Sequence, residues 1–191
     1  MSNEAAYSYQ ENYQKYELIN GQVYMMSRPK ANHARVSKNI SNIFANYLKG
    51  KTCESFTEFE LYLSEEDHFI PDEMIVCDPD IVKEDAVYGV PDLVVEILSR
   101  STARKDRAEK FFKYEKYGVK EYWIISPQDK FVEVYIRKDE KLVLDYIYGS
   151  IYKGELEQLT EKEKEEIRYD IKVSLYDDFL VNVEEIFDRV K

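Results

Sequence analysis

The chain has 191 residues, 44% hydrophobic and 14% aromatic, which suits one domain with a sizeable core and excludes a disordered segment. Its formal net charge of −11 speaks against a plain nucleic-acid-binding module, because phosphate neutralisation by Lys and Arg supplies most nonspecific affinity. No apolar stretch approaches the ~18 residues of a membrane span, and Met1-Ser2-Asn3-Glu4 lacks the basic and apolar regions of a signal peptide, so the expectation is a soluble, cytoplasmic protein with no membrane partner.

Residues 1–15 are polar and tyrosine-rich without a clear period, and read as an N-terminal arm. Segments 16–19 and 22–26 flank Asn20-Gly21, a dipeptide that tolerates the two positive φ angles of a type I′ turn, so a hairpin is expected there. Glu17 in its first strand is expected to be exposed. Residues 33–48 read as a helix with Val36, Ile40, Ile43, Phe44 and Tyr47 on one face, ended by Gly50. His33 stands at its start, where a helix N-terminus favours anions; it can aim into a cleft as a phosphate or water contact, or cap the helix. Residues 53–63 are expected as one strand that returns, after an acidic turn at 64–67, as an antiparallel strand over 69–77. Cys53 and Cys77, without metal-ligand spacing, are expected as small buried hydrophobes in a reducing compartment. Asp78-Pro79-Asp80 reads as a turn that needs no metal.

The run Pro91-Asp92-Leu93-Val94-Val95-Glu96-Ile97-Leu98-Ser99 reads as a buried strand with functional ends. Asp92 and Glu96 share a strand face but lie about 13 Å apart at ~3.3 Å per residue, so they cannot share one small cation. The second acid must come from a neighbouring strand, and Asp72, directly after Pro71, is the best placed. Ser99 to Thr102 offer N-cap hydroxyls for a helix over 103–117, closed by Gly118. Lys110 sits at the edge of that helix's apolar stripe, where its stem can lie on apolar surface while the ammonium reaches a polar cleft; Lys113 is expected to face solvent. Asp, Glu and Lys from three elements make the constellation of a metal-dependent hydrolase.

Beyond the helix, strands are expected at 121–126, 131–136 and 142–148, a solvated turn or helix at 156–168, a short strand at 171–175 and a terminal amphipathic helix at 179–190 through Leu180, Val183, Ile186 and Phe187. A Gly-rich phosphate loop is missing, which excludes the nucleotide-triphosphate enzymes that use one. Charge is unevenly placed: residues 100–120 hold eight basic and three acidic side chains, residues 54–85 twelve acids and one lysine. The basic helix is expected either to face phosphates or to pair with the acidic segment. Seventeen tyrosines suit half-exposed sheet faces and subunit contacts, and a homodimer is expected.

Taken together, Ile70-Pro71-Asp72, the Pro91–Ser99 run, Ser101-Thr102, Asp106, Lys110, Tyr114, Gly118-Val119 and Glu121-Tyr122-Trp123 resemble the Uma-two family of restriction endonuclease-like proteins, in the PD-(D/E)XK nuclease superfamily, over roughly residues 16–127. The resemblance implies an α+β or α/β restriction-endonuclease-like core, a mixed central sheet flanked by helices, in one domain over 16–191. It implies a nuclease that hydrolyses phosphodiester bonds of nucleic acid, DNA by preference, with Asp72, Glu96 and Lys110 catalytic, Asp72 and Glu96 holding Mg²⁺ or Mn²⁺, and His33, Asp92 and Glu17 supporting. In the superfamily pattern the lysine lies two residues after the second acid. That position here is Leu98, so the resemblance places the lysine on the following helix, at Lys110. The alternative is a non-catalytic protein-interaction module that retains a nuclease-like fold, which Leu98 and the −11 charge favour.

Overall fold

The computed structural model describes residues 15–99, 106–150 and 157–191; most of the expected N-terminal arm, the Ser101-Thr102 caps and the first turn of the helix after them lie outside the described residues. Asn20 and Gly21, at φ 53° and 74°, close β1 (Tyr16–Ile19) on β2 (Gln22–Met25) in the expected antiparallel hairpin. α1 (Ala31–Leu48) follows and buries Val36, Ile40, Phe44 and Leu48, its i, i+4 stripe.

The long hairpin expected over 53–77 is present, but divided between two sheets. Its base, β3 (Glu54–Thr57) against β6 (Glu73–Val76), belongs to the large sheet, and its tip, β4 (Leu61–Tyr62) against β5 (His68–Phe69), to a small one. The break has two causes in the sequence. Glu58 takes a left-handed φ of 48°, and Pro71 on the returning side has no N–H to give to a ladder. Cys53 and Cys77 stand one step beyond the Glu54–Val76 pair and are joined by a disulfide, which corrects the expectation of two separate buried thiols.

Asp78 caps a single 3-10 turn, Pro79–Ile81, as the turn reading requires. β7 (Val87–Tyr88) then pairs parallel with β4, completing a small sheet of order β2-β1-β5-β4-β7. β8 (Leu93–Ile97), β9 (Glu121–Ser126), β10 (Phe131–Lys138) and β11 (Lys141–Gly149) extend the large sheet to the order β11-β10-β9-β8-β6-β3, with β8 and β9 parallel and the other neighbours antiparallel. The crossover between the parallel pair carries a π-helical turn, Asp106–Lys110, running into α2 (Phe111–Tyr117), which Gly118 ends at φ 100°.

Alternation along the strands gives this mixed sheet two cores. Ile75, Leu93, Val95, Ile97, Trp123 and Ile125 face α1 and the C-terminal elements, while Met74, Val76, Val94, Tyr122 and Ile124 face α2 and the small sheet with Tyr114 and Phe69. α3 (Glu161–Glu166) precedes β12 (Asp170–Lys172), which pairs with β13 (Leu180–Asn182). The terminal helix expected over 179–190 is therefore mostly not a helix: Asn182 caps only the single turn α4 (Val183–Ile186). Phe179, Val181 and Val183 are buried while Leu180 is 57% exposed, the period-two signature that wins locally.

Candidate active site

Asp72 stands at the break between the two sheets, immediately before β6. Glu73 pairs with Val95 and Met74 with Val94, so one further step of the same register sets Asp72 beside Glu96 on β8. The backbone confirms the contact: Ile97 N–H donates to Asp72 Oδ2 at 2.6 Å. The other oxygen, Oδ1, lies 3.1 Å from His33 Nε2 in the first turn of α1. Burial disfavours the charged imidazole, but the hydrogen bond and charge of Asp72, with Glu58 and Asp106 behind it, outweigh burial and raise the His33 pKa.

Glu96 points to the α2 face, where it is 3% exposed. Its Oε1 accepts from Tyr114 Oη at 2.7 Å and from Lys110 Nζ at 2.9 Å. The two donors are four residues apart, one helical step, and so reach the same carboxylate from one helix face. Lys110 is itself 3% exposed. Its ammonium also meets Glu17 Oε1 at 2.6 Å and stands 3.8 Å from Asp106 Oδ1. The wider π turn brings Asp106 and Lys110 inward together, and such turns recur at functional sites. Glu17, expected on an exposed strand face, is 2% exposed and also accepts the Ile70 N–H at 3.3 Å; Ile19, buried two residues on, marks that face as the inner one.

The result is one buried ammonium among the carboxylates Glu17, Glu96 and Asp106, with Asp72 alongside. Burial pushes the Glu96 pKa well above the ordinary carboxylate range; Lys110 opposes this, and the charges of Asp106, Asp72 and Glu17 add to it. For Lys110 burial disfavours the charge, yet Glu96, Glu17 and Asp106 hold its pKa above the usual lysine value. Lys110 is therefore charged, and the acids around it compete for too little positive charge.

The other candidates lie elsewhere. Asp92, at the opposite end of the same strand, accepts the Cys77 N–H and the Lys120 ammonium, both at 2.7 Å, and does not join Glu96. Lys113 does not face solvent as expected: it bonds Asn20 at 2.5 Å and Asp67 at 2.7 Å, because the β1–β2 turn and the acidic turn at 64–67 fold over α2. With Arg107 on Glu133 and Lys120 on Asp92, much of the described basic segment is salt-bridged rather than open. Glu73, not singled out in the sequence, is fully buried on the other strand face. Burial raises its pKa to about 7 against the Thr57 hydrogen bond, with the Asp72 charge adding to the rise.

Mixed sheets with helices in a single domain make this an α+β fold, and a solved structure shares it. That structure is described as a putative nuclease belonging to DUF820 from Anabaena variabilis ATCC 29413; it matches at TM-score 0.68 over 94% of this chain and 95% of its own, with 16% identity. Sequence comparison is more specific. Residues 4–165 match the Uma2 family, "Putative restriction endonuclease", and two Synechocystis sp. proteins, both described as uncharacterized, are 31% identical over 70% of this chain (73% of the relative) and 29% identical over 59% (67% of the relative). The chain belongs to the Uma2 family. Among the described residues no helix is long and apolar enough to cross a membrane.

Proposed function

We propose that the chain is a metal-dependent nuclease that hydrolyses phosphodiester bonds, with DNA as its substrate. The observation that carries this reading is the carboxylate cluster, in which Asp72, just before β6, accepts the N–H of the residue after Glu96 and Lys110 reaches Glu96 from the crossover. The donor chemistry fits a hard cation such as Mg²⁺ or Mn²⁺, which takes one or two carboxylates and keeps several waters. Among the described residues no group of three or more His, Cys, Asp or Glu side chains is placed to hold a metal ion, so the reading relies on two carboxylates and water.

When bound, such a cation supplies an acidified water and polarises the scissile phosphate. The chain's own residues prepare for that. His33 and the Ile97 N–H fix both oxygens of Asp72, and Tyr114 fixes the Glu96 carboxylate. Lys110 supplies positive charge where the phosphate gains negative charge, an effect strengthened by its exclusion from water. Asp92 keeps the strand in place from a distance.

The test is cleavage of plasmid and single-stranded DNA with Mn²⁺ or with EDTA, for wild type and Glu96→Gln. Cleavage that needs Mn²⁺ and disappears in Glu96→Gln supports the reading. A well-folded wild type that cleaves nothing and binds no Mn²⁺ sinks it in favour of an interaction module, for which the deep burial of Lys110 and Leu98 at the superfamily's lysine position speak. The exposed Tyr16, Val23, Met25 and Tyr88 of the small sheet are the surface we assign to a homodimer; light scattering that reports a monomer at micromolar concentration removes that assignment.

A further inference from the structure

Lys110 and the proposed cation require the same carboxylate. The ammonium sits on Glu96 Oε1 at 2.9 Å, at the oxygen already engaged by Tyr114, and two positive charges on one buried carboxylate repel each other. Glu96, were it to hold a cation, would hold the ammonium less tightly, because the two positive charges would compete for one carboxylate. The lysine has somewhere to go: Glu17 already holds it at 2.6 Å, and Asp106, one step earlier on the same turn, lies 3.8 Å away. Glu17 is itself fixed by the Ile70 N–H, two residues before Asp72, so its position is tied to the segment that carries the other acid.

From this geometry we infer that Glu17 and Asp106 are positioning residues for Lys110. They take over the ammonium when Glu96 turns to the cation, and they keep it inside the site, within reach of the phosphate. In the metal-free protein Lys110 is the counter-ion of Glu96 and competes with the cation for it. This inference rests on the metal-dependent reading above. It goes beyond that reading by giving Glu17 and Asp106 a role exerted through Lys110 and by making Lys110 an obstacle to metal binding as well as an aid to cleavage.

The experiment is a double-mutant cycle read as Mn²⁺ affinity of the full chain by calorimetry, with melting temperature recorded for each variant. Lys110→Met, which removes the competitor, is expected to bind Mn²⁺ more tightly than wild type. Glu17→Gln leaves the ammonium leaning on Glu96 and is expected to weaken Mn²⁺ about tenfold, the lower end of what outer-shell partners of metal ligands control. Asp106→Asn moves affinity the same way by less. In the Lys110→Met background, Glu17→Gln is expected to change affinity by less than about threefold, since the group it acts through is gone. An equal loss in both backgrounds shows that Glu17 acts by its own charge and overturns the inference, as does weaker binding by Lys110→Met, while the metal reading stands. Failure of wild type and Lys110→Met alike to bind Mn²⁺ overturns the metal reading and this inference with it. Where Lys110→Met does not fold, Lys110→Gln closes the same cycle with a polar side chain of similar length.

Discussion

Asp92 and Glu96 bracket the same strand, share a face and are both buried, at 8% and 3% exposure, yet their surroundings differ: one acid is paired locally and the other shares its partner. Asp92 has one backbone N–H and one lysine for its two oxygens, and Lys120, 65% exposed, brings its charge from solvent. Its account is closed locally. Glu96 shares a single ammonium with Glu17 and Asp106, has Asp72 as a neighbour, and is left with more negative charge than the site neutralises. Burying charge without full pairing is expensive, and the raised Glu96 pKa is the response to that cost at this end of β8.

The sharpest contrast comes from the two lysines. Lys110→Ala strips the buried acids of their shared cation and is expected to lower stability by about 3–5 kcal/mol, the range for breaking a buried pair. Lys120→Ala removes an exposed partner and is expected to cost less than about 1 kcal/mol. Urea unfolding of both variants decides it; similar losses for the two erase the distinction between the strand ends.

A smaller effect tests the charge excess through pH. Glu73, adjacent to Asp72 and fully buried, has its pKa raised from 4.5 to about 7. A carboxyl raised in the folded state contributes stability that is complete below its unfolded value of 4.5 and is lost as pH rises through about 7, so metal-free protein should melt higher at pH 5 than at pH 8. The shift corresponds to about 3 kcal/mol across that window. Glu96 and His33 are also raised and act in the same direction. Glu73→Gln, a neutral isostere that can still accept from Thr57, should flatten the difference by its own share; an unchanged slope in differential scanning calorimetry places the titration elsewhere.

Local chemistry made much of this fold legible in the sequence. Asn20-Gly21 specified its hairpin, the 3.6-residue stripe specified α1, and the apolar run specified β8, because in each case propensity, pattern and tertiary packing agree. The division of the 53–77 hairpin was not legible, since it depends on which of two sheets each half joins, although Glu58 and Pro71 mark the place. At the C-terminus Leu180, Val183, Ile186 and Phe187 gave a helical period while Phe179, Val181 and Val183 gave a strand period over the same residues, and pairing with β12 decided for the strand. At the candidate site, strand geometry separated Glu96 from Asp92, the place after Pro71 drew attention to Asp72 and the edge of the helix stripe to Lys110, and the structure brings the three near one another. The depth of Glu17, the proximity of Asp106 and the tie between Lys113 and Asp67 could not, because each depends on how the small sheet folds over α2.

The smallest expected effect is at Asp92, and it bears most directly on what the two ends of β8 mean. An asparagine there keeps one acceptor oxygen, which can still take the Cys77 N–H, but it turns an amide N–H₂ toward Lys120, whose exposed ammonium is then free to swing into water. The loss is one ion pair at the edge of solvent, at most about 1 kcal/mol. Since Asp92 lies roughly 13 Å along the strand from Glu96, Asp92→Asn should leave Mn²⁺ affinity and any metal-dependent cleavage within about twofold of wild type while lowering the urea midpoint slightly, the reverse of the loss of cleavage expected for Glu96→Gln. Loss of cleavage in a folded Asp92→Asn variant would carry the reactive site along the whole strand and remove the asymmetry between its ends.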